Sequence, residues 1–220
     1  MAPWASAIRR VQEPTGPAEL RQRMVQRQLR KRGISDERVL RAMEEVPRER
    51  FVAPEQRGRA YRDRALRIGE GQTISQPWIV AAMTQLLGLD GHERVLEVGT
   101  GSGYGAAVLS RCAREVVTIE RHVTLAETAR ALLGELGYDN VDVREGDGAR
   151  GAQDRAPFDA VVVTATADGD PPAALVEQLA PGAPLVAPLR RAGEERLMRL
   201  VDGREEAIVG VRFVPLVTEA

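Results

Sequence analysis

Three acidic side chains in the second half of the chain each follow or end a short run of β-branched residues. Glu97 lies in Val95-Leu96-Glu97-Val98-Gly99-Thr100-Gly101-Ser102-Gly103, Glu120 follows the run Val116 to Ile119, and Asp147 sits in the turn Gly146-Asp147-Gly148. Doubly wound sheets bind ligands at the carboxyl ends of their strands, where glycines let a ligand approach the backbone and a helix N-terminus offers free N–H groups. Dinucleotide loops space their glycines G-x-G-x-x-G around a pyrophosphate. Here the spacing is G-x-G-x-G, and Glu97 stands two residues before the first glycine, where its charge would repel a pyrophosphate. The same carboxylate suits a cationic amino-acid sulfonium, accepting hydrogen bonds through the loop or its waters around the ammonium end. Adjacent ribose hydroxyls donate well to one ionised carboxylate, the role expected of Glu120, and Asp147 is placed to accept from an adenine amino group. A glycine turn or a solvated acid means little alone. Three acids at successive strand ends beside a glycine loop point to a nucleoside cofactor, and Glu97 with the loop spacing turns that toward S-adenosylmethionine. The candidate cofactor-binding residues are Glu97, Gly99, Thr100, Gly101, Glu120, Asp147 and Gly148.

The elements that must position these groups read as an α/β fold. From residue 93 onward, strands over Arg94–Val98, Val116–Ile119, Val141–Val143, Ala160–Val163 and Leu185–Val186 alternate with helices over Gly103–Ala113, Leu125–Leu136 and Ala173–Leu179. Such alternation predicts a mostly parallel, doubly wound sheet with helices on both faces. Glu195–Val201 and Ala207–Val214, parted by Asp202-Gly203, predict an antiparallel C-terminal edge. Ahead of this core, Leu20, Met24, Val25 and Leu29 recur at helical spacing over Pro17–Arg32, with Gly33 as the stop. Ser35 is the expected cap of a second helix carrying Val39, Leu40 and Met43 and ended by Pro47. Residues 53 to 72 read as an irregular connection, and Gln76–Leu87 as a helix with Pro77 in its first turn and Gly88 as its stop. Residues 1–16 read as a poorly ordered tail and 17–220 as one domain, with a helical and substrate-loop part over 17–90 and the core over 91–220.

Composition narrows the class. Apolar residues make up 43% of the 220 and charged residues 29%, so a packed fold is expected rather than a disordered chain. Net charge is −1, from 31 basic and 32 acidic side chains, so no overall field favours nucleic acid or an anionic membrane. The basic run Arg21, Arg23, Arg27, Arg30, Lys31 and Arg32 lacks interleaved aromatics for base stacking and reads as a solvated helix face. Cys112 is the only cysteine, which excludes an intrachain disulfide and a multi-thiolate zinc site and fits a reducing cytoplasm. Two histidines make no metal site, no secretory h-region stands at the N-terminus, and no apolar run has the roughly 18 residues of a membrane span.

The chemistry after the fourth core strand separates kinds of methyl transfer. Amino groups on bases are usually methylated beside a polar-Pro-Pro-aromatic turn, and here that place reads Thr164-Ala165-Thr166. Carbon-5 cytosine chemistry needs a thiolate, whereas Cys112 sits inside a predicted helix as a small hydrophobe. Tyr61 to Met83 reads YRDRALRIGEGQTISQPWIVAAM, and with VPRERFV, VLEVGTGSGY, the GDG turn, PFDAVVVTA and VRFVPL it resembles the protein-L-isoaspartate O-methyltransferases over nearly everything after residue 17. The glycine loop is shared by many methyltransferases, while QTISQP is specific to this family.

The resemblance implies a Rossmann-like class I methyltransferase fold and a monomer acting on isoaspartyl-containing peptides and proteins, with S-adenosylhomocysteine as the spent cofactor. It implies Ser75 as the catalytic hydrogen-bond donor that orients the substrate α-carboxylate, Thr73 and Ile74 beside it, and Phe213 and Val214 along the substrate backbone. A serine before Gln-Pro at a helix start also serves as an N-cap, and one hydroxyl can do both. Arg67 stands where the family usually has proline, Ala183 where it has glycine, and Leu189-Arg190 where Val-Gly is usual, so the lip of the pocket departs from the pattern. Two other functions fit the same residues: a relative dedicated to one aspartate of a ribosomally made peptide, and a non-catalytic module that binds S-adenosylmethionine or RNA.

Overall fold

The computed structural model describes residues 16–218. Apart from Gly16, the tail expected over residues 1–16 lies outside them. Helix α1 (Pro17–Met24) runs on through a wider π turn at Val25–Leu29 and a 3₁₀ turn at Arg30–Arg32, and Gly33 ends it at φ +92°. Met24, Val25 and Leu29 are buried, as the apolar spacing required. The next helix, α2 (Glu37–Glu45), is capped by Asp36 and not by Ser35. The Asp36 carboxylate accepts from the N–H groups of Arg38 (2.8 Å) and Val39 (3.3 Å). Gln85 fixes this choice, because its Oε1 takes the backbone N–H groups of both Ser35 and Asp36.

Within the stretch expected to be irregular, β1 (Leu66–Arg67) pairs antiparallel with β2 (Thr73–Ile74), Leu66 opposite Ile74 and Arg67 opposite Thr73. Strands of two residues are too short to show an alternating pattern. Helix α3 (Pro77–Leu87) follows at once and stops at Gly88, φ +66°.

The main sheet contains β3 (Arg94–Val98), β4 (Glu115–Glu120), β5 (Val141–Glu145), β6 (Ala160–Val163), β7 (Ala167–Asp168), β8 (Leu185–Arg191), β9 (Glu194–Val201) and β10 (Arg204–Gly210). Helix α4 (Tyr104–Ser110) follows β3, α5 (Val123–Glu135) follows β4 and α6 (Ala173–Glu177) precedes β8. The order is β10-β9-β8-β6-β3-β4-β5, with β7 beside β8. Strands β3, β4, β5, β6 and β8 pair in parallel, while β9 and β10 form the expected antiparallel edge. The chain winds outward from β3 to β5 and then returns to place β6 on the other side of β3. That reversal opens a crevice at the carboxyl ends of β3 and β6.

The last strand is shorter than expected. The β9–β10 ladder ends at Gly210 opposite Arg196, and residues 211–217 turn away across the strand ends. There Glu195 O accepts from Val211 N, Val214 O accepts from Thr166 N, and Leu216 N donates to Thr166 O.

Strand alternation divides the core in two. Val95, Val116, Ala160 and Val162 face a layer that includes Val39, Met43, Ala81, Tyr104 and Leu109 from α2, α3 and α4. Leu96, Val98, Val117, Ile119, Val161 and Val163 face the other side, against Phe158 and Leu175. Each fully buried Val or Leu contributes about 1.5–3 kcal/mol relative to exposure, so the strands under the crevice are rigid supports.

Candidate active site

At the end of β3 the backbone turns through Gly99 (φ +97°), Gly101 (φ +54°) and Gly103 (φ +86°), conformations that favour glycine. A β-carbon at Gly99 would also overlap Thr164 Oγ1 at the end of β6. The bare loop forms one wall of a cavity at the switch point. Glu120, His122, Gly148 and Thr164 continue its lining, and Val214 to Val217 close it from above. The Glu120 carboxylate accepts from Gly101 N (2.9 Å) and His122 N (3.0 Å), which braces the loop and leaves acceptor capacity on both oxygens.

Three residues expected at the cofactor lie behind the cavity wall. Glu97 is only 1% exposed and points, by strand alternation, to the α4 side of the sheet. Its Oε2 accepts from Thr118 Oγ1 (2.6 Å), and Thr118 in turn shares a hydrogen bond with Thr100 Oγ1 (2.7 Å). Gly105 in the first turn of α4 is needed there, since a β-carbon would overlap Glu97 Oε1. Burial raises the Glu97 carboxyl to about 8, opposed by the Thr118 hydrogen bond and reinforced by the charge of Glu120. Its reach to a ligand therefore runs through the loop. Thr100 is buried in the same small network. Asp147 caps a short 3₁₀ turn through the Ala149 N–H (3.0 Å), and of that turn only Gly148 lines the cavity.

A second, open cleft of about 1600 Å³ lies beside the first. Thr73, Ser75, Trp78, Glu195, Phe213 and Val214 are among its walls. Thr73, Thr164 and Val214 line both spaces, so the cavity and the cleft meet at these three residues. Ile74 belongs to neither: β2 alternation turns it inward opposite Leu66, where it is 4% exposed. Ser75 is not the cap of α3. Gln76 occupies that position with no side-chain capping bond, and the Ser75 hydroxyl makes no hydrogen bond among the described residues.

The backbone of Ser75 is nevertheless fixed. Arg48, wholly buried, donates from Nη2 to Ser75 O (2.7 Å) and from Nε to Ala60 O (2.8 Å), with its guanidinium 4.7 Å over the Tyr104 ring. It thus ties the hairpin segment to the helix that leaves the glycine loop. Glu195 does similar work opposite, its Oε1 accepting from Thr166 Oγ1 and Phe213 N at 2.5 Å each. Sequence reasoning singled out neither, nor Thr164 as a wall of both spaces. The available signal for Thr164 was its position just after β6, next to the switch point. Cys112 is buried, and desolvation pushes its thiol up to about 12, which leaves it unreactive. Among the described residues no three His, Cys, Asp or Glu side chains gather to hold a metal, and no helix is long and apolar enough to cross a membrane.

Sheet order, glycine loop and switch-point cavity define a class I, Rossmann-like methyltransferase fold. The family model for protein-L-isoaspartate (D-aspartate) O-methyltransferase matches residues 20–220. The chain belongs to that family. It is 51% identical over 213 residues to protein-L-isoaspartate O-methyltransferase 1 of Rhodopseudomonas palustris (strain HaA2), covering 93% of this chain and 86% of that one. It is 55% identical over 191 residues to the protein-L-isoaspartate O-methyltransferase of Anaeromyxobacter dehalogenans (strain 2CP-C), covering 84% and 91%. A solved protein-L-isoaspartate O-methyltransferase structure superposes with a TM-score of 0.78 at 29% identity, over 91% of this chain and 65% of the other. A Plasmodium falciparum structure assigned to the same family, in complex with S-adenosyl-L-homocysteine, superposes with a TM-score of 0.75 at 22% identity over 94% and 100% and shares the fold.

Proposed function

We propose that this chain is a protein-L-isoaspartate O-methyltransferase that methylates the α-carboxylate of L-isoaspartyl residues in peptides and proteins, with S-adenosylmethionine as donor. The observation that carries the reading is the junction of cavity and cleft at Thr73, Thr164 and Val214, with the unpartnered Ser75 hydroxyl on the cleft side.

The residues present fit the donor. Gly99 and Gly101 leave the loop free of side chains, and Glu120 offers a carboxylate at the cavity edge for a ribose diol. When bound, S-adenosylmethionine supplies an electrophilic methyl group on a sulfonium. The acceptor carboxylate, with an ordinary pKa of about 4, is already ionised at neutral pH and needs no general base. The protein's task is then positioning, which alone can supply several kcal/mol. Ser75 donates one hydrogen bond to the carboxylate, Arg48 holds the Ser75 backbone, and Glu195 holds the Phe213–Val214 segment along the peptide. Val214 to Val217 exclude water from above. The methyl ester has a more electrophilic carbonyl than the free carboxylate, so the following backbone nitrogen can attack it, break the C–OCH3 bond, release methanol with the amide proton and close a succinimide, whose hydrolysis returns some normal aspartate. The same reading takes residues 17–220 as one domain, supported by two cores that share one sheet, and takes the protein to act as a monomer.

The test is incubation of purified protein with methyl-labelled donor and either an L-isoaspartyl peptide or its L-aspartyl twin. Label in the isoaspartyl peptide alone is expected. Equal labelling of both, or of neither, refutes the assignment.

A further inference from the structure

Arg67 occupies a position from which it can act on substrate choice. It pairs with Thr73 across the β1–β2 hairpin, and both are exposed, whereas the neighbouring pair Leu66 and Ile74 is buried. Directly opposed residues of an antiparallel pair share a face, with β-carbons about 5 Å apart. Arg67 therefore emerges beside the residue that lines both cavity and cleft. Ala65 lines the cleft, and the exposed Arg64 precedes it; Arg212 also lines the cleft and is exposed. The side chains of Arg64, Arg67 and Arg212 have no hydrogen bond or ion pair among the described residues. Other charges at the cleft are occupied. Arg32 is paired with Asp63 and stacks 4.5 Å over Trp78, and Glu195 is bonded to Thr166, Phe213 N and Arg190. The surplus is local, since the whole chain carries a net charge of −1.

We propose that Arg64, Arg67 and Arg212 form a cationic lip on the acceptor cleft that selects polypeptide segments with acidic side chains next to the residue to be methylated. The proposal rests on the reading of the cleft as a peptide site. Guanidinium groups bind carboxylates through paired N–H donors, and unpaired exposed cations steer anionic chains toward a cleft. Nucleic acid fits less well. Tyr61 is buried and Arg32 lies over the Trp78 ring, which leaves Phe213 as the one uncovered ring among the described cleft walls, where stacking successive bases needs several.

The experiment compares kcat/KM for three L-isoaspartyl peptides that differ only in flanking Glu, Gln or Lys, at about 50 mM and about 0.5 M salt. At low salt the Glu peptide should exceed the Gln peptide about fivefold, with the Lys peptide below it by a similar factor, and the spread should collapse at high salt. The double variant Arg64→Glu, Arg67→Glu should reverse the order while its melting temperature stays that of the parent. The salt comparison uses the unaltered protein and holds whether or not the variant folds. Methylation of all three peptides at one rate overturns the lip alone. Methylation of none overturns the methyltransferase reading and the lip with it. A single-stranded RNA oligonucleotide that inhibits more strongly than an oligoglutamate of equal charge assigns the patch to nucleic acid and overturns the proposal.

Discussion

Replacing Glu97 by glutamine tests the electrostatics beneath the glycine loop. The side chain is buried, its one strong partner is the Thr118 hydroxyl, and desolvation raises its carboxyl from an ordinary 4.5 to about 8. An acid whose folded value lies above its unfolded one binds its proton more tightly in the native state. Its contribution to stability is whole below pH 4.5 and is lost as pH rises through 8. Each unit of that window costs about 1.4 kcal/mol, so the full loss has an upper bound of ~5 kcal/mol. Glutamine is nearly isosteric, accepts the Thr118 hydrogen bond through its carbonyl oxygen, and does not titrate. Urea unfolding of parent and Glu97→Gln at intervals from pH 5 to pH 9 should therefore give near-equal stabilities at pH 5. The variant should become the more stable protein as pH rises, with the gap widening until about pH 8. Two curves that stay parallel across the range would refute the buried, protonated carboxyl.

Two further substitutions separate architecture from chemistry. Ser75→Ala should lower kcat/KM for an isoaspartyl peptide about 10- to 100-fold, the worth of one hydrogen bond to a charged group. Because Ser75 caps nothing, the melting temperature and calorimetric donor affinity should not move; a drop in melting temperature would restore the capping role. Gly148→Ala places a β-carbon against Val98 Cγ1, where both residues line the donor cavity. Overpacking there should cost about 1–3 kcal/mol of stability and weaken donor binding, checked by thermal melting and calorimetry; unchanged values for both would show that the wall yields.

The parallel core was legible because each strand carries its own signal. Arg94–Val98 and Ala160–Val163 have the bounds read from their β-branched runs, and the Asp202-Gly203 turn separates the two edge strands as expected. Side-chain direction was less legible. Glu97, expected to reach a ligand through the loop or its waters, and Ile74, implied by the resemblance, both have side chains that strand alternation turns away from the cavity. Asp147 was placed correctly at a strand end, yet its carboxylate serves its own turn. Arg48 and Glu195 escaped notice because the backbone groups they hold are 12 and 27 residues away for Arg48 and 18 for Glu195, and Thr166 is 29 from Glu195, pairings that no local pattern encodes. Arg67 was legible only as a departure, and its meaning depended on the register that sets it opposite Thr73.

The cavity and the cleft meet at Thr73, Thr164 and Val214, and donor and acceptor are expected to meet there. The most direct measurement is a crystal structure with both S-adenosylhomocysteine and an L-isoaspartyl peptide bound. The sulfur and the peptide α-carboxylate should face each other across those three residues, with the Ser75 hydroxyl within hydrogen-bonding distance of the carboxylate. A peptide seated elsewhere, or one whose α-carboxylate points away from the cavity and from Ser75, would contradict it.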